Sequence, residues 1–554
     1  MKRRPNAFTA CRQNRPTDGQ GEVRTIAADF VFYGGPVYDP VSGIKEAVAT
    51  KGNRILASGS KAEIMALAGP RTRQYDLEGS LLMPGFIDAH LHITGHGTGL
   101  SQVNCKYPAV LSIGDIQHAF RERVRSSPPG TWVLGRGYDH LKLSEKRHPT
   151  RYDLDAVSIQ HPILLTRTCG HICVVNSVAL ALAGITADTP DPVGGKIDRD
   201  EGGAPNGVLR EAGQRFLREL AAPSHEELVK GTVVASEHLV SLGITSVHDA
   251  SGSTPLMRAI VEAVESGRAK IRIYTMLGSS DPEFQNAFLR SGLRTGFGNE
   301  HLRLGPMKLM TDGSSSGPTA ATRRPYAVDP GNSGILYFTQ EEITAKHTAA
   351  HRAGFQVTAH AVGDRAVEMN INGIESAVSA FPRPDPRHRI EHCAMTGAEL
   401  RSRIKRLGIV PISQPVFFHE FGDGYVLNYG RERAEQMFTT ASFIREGIPF
   451  AMSTDCPVTF PDPTLNISVA MTRRTMTGDV VGPGERITLE QALYGYTMGG
   501  AYAAFEEKVK GSLEPGKLAD LVVWTGNPFG AAPDQIRGMT ARMTMINGQV
   551  VFER

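Results

Sequence analysis

The feature that most constrains this 554-residue chain is a recurring unit through its middle. Short, β-branched-rich apolar runs end in polar or turn residues: GITSVHDA, IRIYTML, RLGPMKLM, FQVTAHAVG, RIEHC, IVPISQP and PFAMSTD. Between several of them lie helix-length stretches such as TQEEITAKHTAAHRAG and GAELRSRIKRLG, each closing on glycine as helix C-termini often do. Strand and helix in repeated succession predict a parallel α/β fold, most economically a TIM-type barrel. Such barrels gather their functional side chains at the C-terminal ends of the strands, so the polar residues closing the apolar runs are the ones to inspect.

The flanks differ. From Asp29 to Ser60, short strands alternate with Gly-Gly, Asp-Pro and Gly-Asn turns, and the C-terminus has the same texture, with Asn547-Gly548 between two apolar runs. We expect residues 26–84 and 505–554 to form one small β-sandwich from both chain ends, and residues 85–504 to form the barrel. The Pro- and Gly-rich stretch of about 98–236 breaks the alternation and reads as an insertion beside it. Residues 1–25 hold six Lys or Arg against Asp18 and Glu22, a net +4 in a chain whose total is +3, and read as a disordered basic tail. The body therefore has no basic bias toward nucleic acid or an anionic membrane. The basic start lacks an apolar core and does not read as a secretory signal, and without an apolar run of about 18 residues no transmembrane helix is expected. Six scattered cysteines without a CxxC pair argue against a disulfide scaffold and for a reducing, cytoplasmic setting.

The first barrel run ends in His90 and His92, whose i, i+2 spacing on a strand puts both imidazoles on one face. Later runs deliver Lys308, His360, His392 and Asp455. Four histidines, a lysine and a carboxylate at one end of a barrel suit zinc or a similar divalent ion. Each histidine alone would more often be a hydrogen-bonded structural residue; recurrence at successive strand ends is what makes a metal centre the better reading. Cys393 and Cys456 follow ligands directly and read as small core residues, and TDGSSSGPTAAT lacks the ending of a phosphate-binding loop and reads as an active-site loop.

The pieces LLMPGFIDAHLH, KLMTDGSSSGPTAAT, TAHAVGDRAV, HRIEHC, STDCPV and GSLEPGKLADLVVW together resemble the metal-dependent amidohydrolase superfamily, and within it the amidohydrolase-3 (YtcJ-like) branch that includes N-substituted formamide deformylases. The resemblance runs from about Val31 to Val551. It implies a deformed (β/α)8 barrel with a β-sandwich from both ends. It also implies metal ligation by His90, His92, Lys308, His360, His392 and Asp455, with one or two ions, zinc foremost. Lys308 is implied to be carboxylated and to bridge two metals; an unmodified lysine paired with Asp312 or with substrate, in a mononuclear site, is the alternative. Catalysis is implied for Asp455, as the base toward a metal-activated water and the acid toward the leaving amine, supported by Lys308 and His392. Substrate contacts are expected from His171, Asn176, His248, Tyr138 and Asp312. Val174-Val175 and the Tyr138/His140 pair depart from the branch pattern, which unsettles close substrate analogies. The expected partner is a small-molecule amide, with hydrolysis of an ester, lactam or other acyl compound as the runner-up and an inactive metal-binding homologue behind it. A homodimer is left open.

Overall fold

The computed structural model describes residues 27–168, 170 and 172–554; the basic tail and His171 lie outside the described residues. Its centre is an eight-stranded parallel sheet: β1 (Phe86–Leu91), β2 (Ile244–Gly252), β3 (Arg272–Gly278), β4 (Leu302–Met310), β5 (Val357–Ala361), β6 (Arg389–His392), β7 (Val410–Ser413) and β8 (Ala451–Met452), each hydrogen-bonded to the next. This is the expected barrel. β1 and β8 meet at a seam closed by backbone hydrogen bonds just beyond their ends: Asp455 donates to the His90 carbonyl at 2.8 Å and His92 to that of Cys456 at 2.7 Å. The site residues therefore help to close the barrel.

Helices flank the barrel where the sequence places them. Thr339 caps the helix Gln340–Arg352 with a full capping box. Gly408, at φ +62°, ends the helix Ala398–Leu407 in the left-handed conformation that lacks a Cβ penalty. α1 (Ile93–Leu100) follows β1 and packs on α2 (His225–Ser241) so closely that a Cβ on Gly97 would lie 1.6 Å from the Gly231 carbonyl oxygen.

Between β1 and β2 a separate six-stranded sheet is built from residues 103–211, with Val103–Asn104 at its edge and Val133–Tyr138 beside it. Two further sheets draw on the ends of the chain. One holds Phe30–Tyr33 between Ala47–Lys51 and Arg73–Asp76; the other joins Val37–Asp39 and Leu82–Pro84 to Leu521–Trp524, Ala541–Ile546 and Gln549–Glu553. In the last hairpin Asn547 and Gly548 have φ of +60° and +72°, the paired positive values of a type I′ turn. A buried two-pronged ion pair, Arg272 to Asp520 at 2.6 and 2.9 Å, ties the barrel to this C-terminal sheet. No helix among the described residues is long and apolar enough to cross a membrane. Cys105, Cys173, Cys393 and Cys456 are buried free thiols, each raised by burial and so poor nucleophiles.

Candidate metal centre

The barrel's C-terminal end brings six of the anticipated residues together. Donor atoms of His90, His392 and Asp455 all lie within 4.8 Å of one another, and all three side chains are buried. Nε2 of His90 and of His92 stand 3.4 and 3.1 Å from Asp455 Oδ1. Lys308 Nζ is 3.3 Å from His90 Nε2, and the His360 and His392 rings are 4.5 Å apart. Asp455 Oδ1 nonetheless has no well-aligned hydrogen-bond partner among the described residues although the atom is fully buried. A buried carboxylate oxygen without a hydrogen bond is costly. Facing imidazole nitrogens in this way, it has the arrangement of a donor set directed at a shared cation, and the residues fit a divalent metal.

The remaining nitrogens are anchored, which fixes what each ring presents. His90 Nδ1 lies 2.5 Å from the Glu391 carboxylate and His392 Nδ1 3.0 Å from Gln414 Oε1, so both donate there and turn Nε2 toward the cluster. His360 Nε2 donates to the Gly313 carbonyl at 3.0 Å, leaving Nδ1. Burial pushes His360 down to about 4 and His392 well below the ordinary range, which keeps these imidazoles neutral, as ligation requires. Burial likewise lowers Lys308.

Glu391 is the most consequential residue that the sequence reading missed. Burial alone would raise its pKa, but Arg389 and His90 hold it well below the carboxylate range. Its two oxygens accept from Arg389 Nε and Nη2 at 2.9 and 3.0 Å and from Thr358 at 2.6 Å, besides His90. Arg389 in turn donates to the Ala89 carbonyl at 2.7 Å and contacts His248 Nδ1 at 2.8 Å. Asp88 was also passed over. It accepts from the His90 backbone at 3.2 Å and the Thr454 hydroxyl at 2.6 Å, linking the ends of β1 and β8, and burial raises it to about 7. Its signal was the Asp-x-His-x-His spacing, which puts it on the ligand face.

Three ligand-region residues depart from strand geometry: His392, Cys393 and Asp455 have φ of +67°, +46° and +57°. Non-glycine residues rarely adopt such values, and their clustering here is of the kind found at functional sites.

The other anticipated contacts have protein partners of their own, and Asp312 Oδ1 lies 3.6 Å from His360 Nε2. Asp312 is fully buried and accepts from the backbone N–H groups of Ala321, Val362 and Gly363 at 2.9–3.1 Å, pinning the 311–322 loop over the site; Lys308 is not its ion-pair partner. His248 is buried beneath the cluster against Arg389. Tyr138 is buried with its hydroxyl 2.8 Å from His148, and Asn176 caps the helix Ser177–Leu182 while bonding the Ser158 and His161 carbonyls. Neither joins the metal cluster.

The Amidohydrolase family profile matches residues 73–552. The chain belongs to this family. Protein YtcJ of Bacillus subtilis (strain 168) is 30% identical over 95% of this chain and 99% of that protein. The N-substituted formamide deformylase of Arthrobacter pascens is 28% identical over 93% of this chain and 96% of its own. A solved metal-dependent hydrolase of uncharacterised function from Pyrococcus horikoshii OT3 aligns with a TM-score of 0.77 at 26% identity, covering 91% of this chain and 99% of that one. With this family membership and the His90/His392/Asp455 site, the molecule is a metal-dependent hydrolase of the amidohydrolase type, cleaving a C–N or other acyl bond in a small substrate.

Proposed function

We propose that the enzyme hydrolyses linear N-substituted amides of the formamide type, with zinc in a centre held by His90, His92, His360, His392 and Asp455 and by a carbamate on Lys308. The observation that carries the metal centre in this reading is the buried Asp455 Oδ1, without a hydrogen bond among the described residues yet 3.1 and 3.4 Å from imidazole nitrogens. Likeness to the Arthrobacter pascens deformylase over nearly both chains supports the choice of amide.

When bound, the ion supplies Lewis acidity toward the carbonyl and toward water. The chain's own residues do the rest. Asp455 accepts a proton from the attacking water as its oxygen bonds to the acyl carbon, then gives that proton to the departing nitrogen as the C–N bond breaks, leaving an acid and an amine. His90, clamped by Glu391, and His392, clamped by Gln414, cannot rotate away during this exchange. Lys308 supports the carbamate reading by its position. A buried ammonium beside the His90 nitrogen has no lone pair to offer a cation, whereas the neutral amine favoured by burial can add CO2, lose a proton and present two oxygens.

The test is product formation by zinc-loaded and chelator-treated protein: primary amine from N-substituted formamides, acetamides and ring-opened lactams, and free acid from esters. Chelator-sensitive release from formamides is expected. Turnover of esters or lactams alone would replace the amide reading.

A further inference from the structure

Two cations near the metal centre, Arg136 and Lys106, have no partners among the described residues. Val103–Asn104 and Val133–Tyr138 run parallel with Arg136 in register with Asn104, so Arg136 and Asn104 share a face of the sheet. Beyond the strand, Lys106 donates its backbone N–H to Asn104 Oδ1 at 3.1 Å, and its neighbour Cys105 donates to the Arg136 carbonyl at 2.9 Å. Glycines make room for both side chains. A Cβ on Gly99 of α1 would lie 2.7 Å from an Arg136 guanidinium nitrogen, and one on Gly137, itself at φ +97°, would lie 2.4 Å from Lys106 Cγ.

The pair stands close to the chemistry. α1 begins immediately after His92, and Gly99 lies seven residues along it, which at the helical rise is about 10 Å from that ligand. Cys456, whose carbonyl takes the His92 N–H, feels both charges, as does the buried His96.

Neither the Arg136 guanidinium nor the Lys106 ammonium makes a hydrogen bond or ion pair among the described residues, in contrast to Arg272, Arg389 and Arg210. Burial lowers both, and at Lys106 the Arg136 charge lowers it further; the exposed carboxylate of Glu420 opposes this at Lys106 without pairing with it. Two like charges held together, one of them half-buried, raise the energy of the free protein, and an anion placed between them relieves it. A guanidinium fork with an adjacent ammonium matches a carboxylate. Val458 and Phe460, both about half exposed on the loop after Asp455, add apolar surface nearby; Phe460 packs on His238, which in turn bonds His96.

We propose that Arg136 and Lys106 form a subsite for a substrate carboxylate remote from the scissile bond, so that the preferred substrates are amides whose nitrogen substituent is an alkyl chain ending in a carboxylate. This rests on the amide reading of the metal centre and adds its substrate class.

The experiment compares kcat/KM of the zinc-loaded enzyme for 6-(formylamino)hexanoate and its uncharged counterpart N-hexylformamide. The wild type should favour the carboxylate. The preference ratio should fall about 10- to 100-fold in Arg136→Gln, the usual effect of losing a charge-assisted hydrogen bond, and less in Lys106→Gln. It should also shrink with added salt. Lys106 is exposed, so its variant keeps the test valid should Arg136→Gln fold poorly. A ratio unchanged in the variants, or a wild type indifferent to the carboxylate, overturns the subsite. If neither compound is hydrolysed, the amide reading fails instead, and calorimetric binding of adipate decides the subsite separately. Binding weakened in the variants sustains it; no wild-type binding, or equal binding in all three proteins, overturns it.

Discussion

Substituting Glu391→Gln tests whether the metal centre depends on the buried network beneath it. The carboxylate takes hydrogen bonds from His90, Thr358 and two Arg389 nitrogens, with no exposed surface on Glu391 or Arg389. Glutamine keeps the shape but offers one acceptor oxygen in place of two, and its NH2 must face a donor. It also leaves the Arg389 charge buried without its carboxylate. Breaking one side of a buried pair costs about 3–5 kcal/mol, so the melting temperature of metal-free protein should fall clearly. Loss of the His90 clamp should weaken zinc about 10- to 100-fold, measured by competition with a chromogenic chelator. The double variant Arg389→Met/Glu391→Leu separates the two effects: it should recover stability relative to the sum of the single changes while zinc affinity stays low. Wild-type zinc affinity and melting temperature in Glu391→Gln would refute the reasoning.

Three further outcomes follow from the structure. Asp455→Asn should cut kcat about 100- to 10,000-fold, the range for a proton-transfer group, while protein at saturating zinc still holds metal by elemental analysis. His347 is buried against Asn370 and held down to about 4 by burial, so it stays neutral in the folded protein at pH values where an unfolded histidine, at about 6.5, takes a proton. Stability from this group is therefore complete above about pH 6.5 and is lost as pH falls toward 4; the loss should reach about 2 kcal/mol at pH 5, and His347→Gln should flatten that part of the melting-temperature profile. Asp520→Ala should destabilise by about 3–5 kcal/mol by stranding buried Arg272, and Asp520→Leu with Arg272→Met should recover much of the loss in urea unfolding.

The barrel and the His90, His392 and Asp455 cluster were legible because both follow from local pattern. β-branched runs mark the strands, and a polar residue at the end of each lands at one end of the barrel. Asn547-Gly548 specified its turn because only residues tolerant of positive φ fit there. Glu391 was not legible for a physical reason: strict alternation puts neighbours on opposite faces, yet the positive φ at His392 lets both Glu391 and His392 reach the His90 ring. Asp312, Tyr138 and Asn176 carry the polar groups expected of substrate contacts, but their partners come from distant or buried backbone that spacing does not reveal. Arg136 and Lys106, without partners among the described residues, were invisible for the converse reason, since only the structure shows which cations have a carboxylate beside them.

The central claim is a hydrolytic metal centre built on His90, His392 and Asp455. The most direct measurement is metal content alongside turnover in one preparation, before chelation, after it, and after zinc is restored. The account predicts about one or two divalent ions per chain, activity that disappears with them, and recovery as they return. Undiminished turnover by protein stripped of metal would contradict it.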